Sequence, residues 1–320
     1  MKFAGMIPCL LLTAFMSLPA QESHAGPSVA EPGASQPAKP DYITPHITDA
    51  HHMEVPYWAP PFYKEVQLPV WEPVHVGPLT LDMSPTKHVV MLFVAAFLVS
   101  VVLITAAVAH KRHHHVAGVP HGFAAGIEST VLYIRNEVIL PNVGHHGEKF
   151  VPFVLTLFFF ILFANLLGLI PYGSTATGNI SVTATLAIIT LIVVETAGMR
   201  AQGVGYLNTI FYWNKDLSLP LRIMLFVIMT PVEIIGKLTK PFALAIRLFA
   251  NMTAGHIVVL ALLGLFFGFV SAEFPAKFTA VAPLLMAVAI MMLELFVAFL
   301  QAFIFSLLAS VFIGQVREAH

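Results

Sequence analysis

From Ser84 onward the chain alternates long apolar runs with short polar breaks. The runs occupy 87–109, 149–171, 180–199, 219–264 and 278–313. Each is long enough for a helix to cross a bilayer core, which takes about 20 residues. Ser84-Pro85-Thr86 supplies a helix start for the first run. The breaks differ in charge. "KRHHH" at 111–115 follows the first run, and Arg200, Lys215 and Arg222 follow the third. The loop "YGSTATGN" after the second run carries no charge. Positive charge thus alternates between sides, which places the basic breaks in the cytoplasm and the neutral loop outside. Residues 121–142, with His121, Glu128, Arg135 and Glu137, are too polar to span. Glu128 and Arg135 are seven apart and share a helical face, which predicts an amphipathic helix in the plane of the cytoplasmic surface.

The fourth run is overlong. As a helix, Leu219 to Gly264 would extend roughly 65–70 Å, about twice the core thickness. Two spans would need an external turn at "GKLTKP", exposing Lys237 and Lys240 on the neutral side. One tilted helix keeps both lysines near the cytoplasm and leaves "EFPAK" (273–277) as the external turn. The last run then returns to a cytoplasmic "QVREAH" tail. The pattern predicts an all-α polytopic membrane protein with five crossings, the last two forming a long tilted hairpin.

Before residue 84 the pattern changes. Lys2, the apolar stretch "IPCLLLTAFMSLPA" and the small-x-small sequence ending at Ala25 read as a signal peptide over 1–25, with Ala20 as a second cleavage choice. Residues 26–83 are rich in Pro, His and Glu and have no helical period. They read as an extended external segment, able to dock on a neighbour through Trp58, Phe62 and Trp71. His46, His51 and His52 fit a solvated linker better than a metal site. The membrane domain occupies 84–320.

Composition agrees. The 320 residues are 58% hydrophobic and 10% charged, against about 25% charged in soluble proteins. A net charge of −1 excludes a generally basic nucleic-acid binder. The single cysteine, Cys9, lies in the leader, so the mature chain has no disulfide or thiolate metal site.

The polar residues inside the apolar runs carry the chemistry. Glu233, Lys240, Arg247 and Asn251 are spaced seven, seven and four apart, so they fall within about 40° on one helix. Lys237 sits at the edge of this ridge. An arginine at hydrocarbon depth costs about 2.5 kcal/mol or much more, and nothing within one turn of Arg247 neutralises it. A partner must come from another helix or another subunit. The lysines admit a plainer reading, in which their stems snorkel to the interface. On the last run Glu294 and Gln301 share a face. A hairpin around "EFPAK" puts His256 and Glu294 at similar depth, where they form either a proton relay or a neutral structural hydrogen bond.

"TPVEIIGKLTKPFALAIRLFANMTAGH" and "LELFVAFLQAFIFSLLASVFIG" resemble subunit a of the F-type ATP synthases, as do "FANLLGLIPYG" and "TGNISVTATLA". The resemblance covers about residues 84–314 and leaves 1–83 unexplained. It implies a stator subunit of a rotary motor in the bacterial inner membrane. Its partners would be the c-ring, the peripheral-stalk b subunits, the other synthase subunits and the bilayer. By this resemblance Arg247 faces the c-ring carboxylate and separates two offset half-channels. Asn251, His256, Glu294 and Gln301 match the external half-channel, and Glu233 the cytoplasmic one. Asn165 matches a family position of less defined role. In well-known bacterial relatives the position of His256 holds glutamate and that of Glu294 histidine, so the two are exchanged here. No cofactor is identifiable. With no GxxxxGK[ST] motif, the chain has no nucleotide site of its own. A secondary transporter is the competing class, but no internal repeat of the kind such folds carry is evident.

Overall fold

The computed structural model describes residues 48–320, apart from 57–62, 77–78, 115–121, 145–146, 171–174, 207–210, 212–217, 272–275 and 319–320. The leader, His46, Trp58, Phe62 and Lys215 lie outside the described residues.

Five helices are long and apolar enough to cross a membrane. They are α1 (Lys87–His114), α4 (Val151–Gly168), α5 (Ile180–Gln202), α6 (Leu219–Val270) and α7 (Val281–Glu318). The fourth apolar run is one helix of 52 residues, about 78 Å long. It crosses a core of about 30 Å only by lying steeply. Pro231 and Pro241 lie within it, each removing one backbone bond. With α7 it forms the long hairpin expected from the sequence.

Shape and small residues set the packing. The centre is α4, whose Phe158, Phe159, Ile161 and Leu162 are buried. Around it α7 buries Ala298, Ala302, Phe305, Ala309 and Ile313. Glycines allow several close approaches. A Cβ on Gly168 would overlap Thr175, one on Gly198 the ring of Tyr206, and one on Gly314 the Asn142 carbonyl.

The surface helix is α2 (Phe123–Tyr133), which runs through a π-helical segment, Ile134–Ile139, into α3 (Leu140–Val143). The π segment turns Ile134, Val138 and Ile139 into the core, α3 adds Val143, and the π turn alters the phase of the helix. Glu128 lies 3.3 Å from His110, while Arg135 pairs with Glu148 at 2.8 Å. The two side chains that a uniform helix would align thus bond in different directions. Arg317, in the last turn of α7, donates to the Val143 carbonyl at 2.9 Å and fastens this helix to the hairpin.

The described part of the N-terminal segment holds two antiparallel hairpins rather than extended chain alone. β1 (His52–Pro56) pairs with β2 (Tyr63–Gln67), and β3 (Val74–Val76) with β4 (Leu79–Leu81). Asp49 fastens the segment to the helices. Its carboxylate lies 2.7 Å from His88 Nδ1 and accepts from Asn179 Nδ2 at 3.2 Å. His88 lies in the first turn of α1, and Asn179 caps α5 by accepting from the Ser181 N–H. Burial raises the Asp49 pKa, but the His88 hydrogen bond and charge outweigh it and hold the carboxyl below the usual range. The tie is therefore fully present above the ordinary carboxylate pKa and is lost only as pH falls through the lowered one.

Candidate functional site

The facing sides of α6 and α7 carry the polar residues in matched antiparallel order. Lys240 Nζ donates to Gln315 Oε1 at 3.1 Å. Asn251 Nδ2 donates to Gln301 Oε1 at 3.0 Å. Gln301 is 2% exposed, so its amide is fixed against α6 by this bond. The next level holds Glu294, which packs on Gly255 so closely that a Cβ there would overlap its carboxylate. These contacts follow from period: Gln301 and Gln315 are two heptads apart on α7, as Lys240 and Asn251 are eleven residues apart on α6.

Arg247 lies between the two hydrogen-bonded levels. It is exposed and has no hydrogen-bond or ion-pair partner among the described residues. Ala243, Ala250 and Ala254, three or four residues apart around it, are exposed too. These small side chains flank the guanidinium, and Asn251, also exposed, is the neighbouring polar group on the same face. The described residues therefore supply no counter-charge, in a segment where an uncompensated charge is costly.

His256 and Glu294 come to the same level by adjoining routes. The His256 ring has Nδ1 3.1 Å from the Met252 carbonyl and Nε2 2.8 Å from the Gly168 carbonyl. A neutral imidazole donates to one of these carbonyls, and an imidazolium to both. Glu294 packs against the backbone one residue before His256. Its Oε1 is buried without a hydrogen-bond partner among the described residues, an arrangement that native proteins keep where water or chemistry completes it.

Asn165 sits behind this level, fully buried. Its Oδ1 accepts from Thr177 at 2.7 Å, and its Nδ2 faces the Ala298 carbonyl of α7 at 3.5 Å. Thr175 and Thr177 bond each other at 2.9 Å. Asn165 thus ties α4 to α7 and to the short turn Ala176–Gly178, which leads into α5. It orients the wall on which His256 rests through Gly168.

At the opposite end of the ridge a cavity of about 130 Å³ is lined by Glu195, Tyr206, Glu233, Lys237, Lys240 and Gln315. Two of these, Glu195 and Tyr206, were missed by the helix-face reading. Tyr206 donates to Glu195 Oε2 at 2.6 Å. Lys237 Nζ donates to Tyr206 Oη at 2.5 Å and lies 3.4 Å from Glu195 Oε2. A lone carboxylate within "LIVVETAG" was the available signal, since an ionisable residue in an apolar span is costly. Tyr206 had no such signal: it reaches the site by packing on Gly198.

Comparison with known proteins bears on the whole chain. The family described as ATP synthase A chain matches residues 89–314. The "ATP synthase subunit a 2" of Chlorobaculum tepidum is 44% identical, over 91% of this chain and 78% of its own. Proteins of the same name from Chlorobium luteolum and Prosthecochloris aestuarii are 40% and 41% identical. They cover 100% and 99% of this chain, and 93% and 94% of their own lengths. The likeness therefore extends through the N-terminal segment. With five long apolar helices and a family match across nearly all of them, this chain is a multi-pass membrane protein of the ATP synthase A chain family.

Proposed function

We propose that this chain is the proton-translocating stator of a rotary ATP synthase. The observation that carries the reading is Arg247, a fixed charge without a partner among the described residues, exposed among alanines on a membrane helix. A carboxylate on a passing c-subunit supplies the missing counter-charge. Asn251, Gln301, His256 and Glu294 then line the half-channel open to the outside. Glu233 serves the half-channel open to the cytoplasm, where the cavity reaches it and Lys240 lies beside it. Arg247 stands between the two. A proton delivered from outside neutralises a c-subunit carboxylate, which then enters lipid. After nearly a full turn the carboxylate meets the cytoplasmic path and ionises beside Arg247. The work available is about 2.3 kcal/mol per charge per 100 mV.

In this reading the mature N-terminus is external, the C-terminus is cytoplasmic, and the c-ring and the b subunits are neighbours. The signal-like start and the basic breaks support that orientation. A secondary transporter would act without a ring. Affinity purification from membranes separates the two classes. A tag after His320 should bring down a multi-copy small proteolipid ring in fixed proportion. Recovery of the intact chain alone, under mild conditions that preserve a synthase, contradicts the stator reading.

A further inference from the structure

Glu233 and Lys237 are four residues apart on α6, with the glutamate N-terminal. That is the favourable order for an ion pair along a helix. Yet the bonds of Lys237 run the other way, to Tyr206 Oη at 2.5 Å and Glu195 Oε2 at 3.4 Å. Its ammonium also sits 4.2 Å from the Tyr206 ring centroid. Tyr206 is 1% exposed and wedged on Gly198, so its hydroxyl is a fixed anchor. Glu195 accepts from both Tyr206 and Lys237 on α5, across the cavity from Glu233. Lys240, the other cation on this wall, is likewise turned away, onto Gln315 and 5.1 Å from the Phe312 ring centroid. Glu233 has no hydrogen-bond or ion-pair partner among the described residues.

We propose that Glu195 and Tyr206 are positioning residues that hold Lys237 away from Glu233 and so keep the Glu233 carboxylate open to protons. The inference rests on the assignment of Glu233 to the cytoplasmic proton path. Its chemistry is a competition. A carboxylate locked in an ion pair resists protonation, because the neighbouring cation favours the charged form. Glu195 supplies the alternative anion, and the Tyr206 hydroxyl bridges the two by donating to Glu195 while accepting from Lys237. The charged and titratable groups lining the cavity are Glu195, Glu233, Lys237, Lys240 and Tyr206. The volume has room for about four water molecules to carry protons to the freed carboxylate.

The test is ATP-driven proton pumping by the assembled synthase in vesicles, with ring association confirmed for each variant. Glu195→Gln with Tyr206→Phe releases Lys237, and pumping should fall about fivefold or more, given the strength of close charge pairs at low dielectric. Adding Lys237→Gln to that pair removes the competitor and should restore most of the rate. Lys237→Gln alone should pump nearly as well as the parent. Glu195→Gln alone should show a smaller loss, also relieved by Lys237→Gln. An undiminished rate in the pair variant overturns the proposal. So does an assembled triple variant that stays slow, which would mean that Glu195 and Tyr206 act through packing or carry protons themselves. A severe loss in Lys237→Gln alone overturns it as well. Glu233→Gln is the separate control: full pumping by that variant removes the role of Glu233, and the proposal with it, whatever the others do.

Discussion

Arg247→Ala is expected to abolish coupled proton transport while leaving the complex assembled. The loss should be at least about a hundredfold, the scale seen when a preorganised charge is removed from a site that stabilises developing charge. Assembly should survive because Arg247 is exposed and makes no bond to the described residues. The same variant should leak protons passively, since the fixed cation between the two half-channels is gone. Arg247→Lys keeps a positive charge but loses the planar, permanently protonated fork. A desolvated lysine can also shed its proton, so this variant should fail in coupled transport as well. ATP-driven pumping and passive flux, both measured in vesicles carrying equal amounts of complex, distinguish these outcomes. Full pumping by the alanine variant contradicts the role assigned to Arg247.

The second large effect concerns His256 and Glu294. His256→Glu places a second carboxylate beside Glu294, and coupled transport should drop at least about tenfold, because like charges at one site cannot readily ionise together. It also removes the ring that bridges Met252 and Gly168. Combining His256→Glu with Glu294→His keeps one imidazole and one carboxylate at the same level and should recover part of the rate. The recovery should be incomplete. Gly255 is fitted to the Glu294 carboxylate, and the two backbone carbonyls are fitted to an imidazole at 256. An assembled double variant with no recovery shows that the two side chains act independently.

Much of this fold was legible because a membrane helix is written in long apolar runs. The five crossings, the single long helix across Pro231 and Pro241, and the hairpin all follow from run length and charge placement. The ridge on α6 followed from period alone, and the shared depth of His256 and Glu294 from the antiparallel turn; the Lys240–Gln315 and Asn251–Gln301 bonds emerged only from the packing of the two helices. Three features were not legible. The π segment at Ile134–Ile139 changes helical phase without a sequence marker, so the expected alignment of Glu128 with Arg135 resolved into two separate pairs. The β hairpins lie in a Pro- and His-rich segment where short strands show too little alternation to separate them from loop. The Glu195–Tyr206–Lys237 cluster depends on contact between α5 and α6 and on a glycine that admits an aromatic ring. Helix-face analysis treats one helix at a time, and it assigned Lys237 only to the edge of a ridge.

If Arg247 acts on the ring, the exposed face of α6 around it is the surface that meets the rotating c-subunits. Disulfide formation tests it directly, because two cysteines join only when their Cα atoms come within about 4.4–6.8 Å. Cys9 is the one native cysteine, so a Cys9→Ser background gives a clean start. Ala250→Cys, exposed one turn from Arg247, is paired with a cysteine one turn from the membrane carboxylate of the c-subunit. Ile192→Cys on α5, 52% exposed on another helix, is the comparison. A rapid a–c crosslink is expected through position 250, one that halts pumping, is reversed by reductant, and is absent at position 192. A crosslink through position 192 with none at 250, in complexes that pump normally before oxidation, would contradict it.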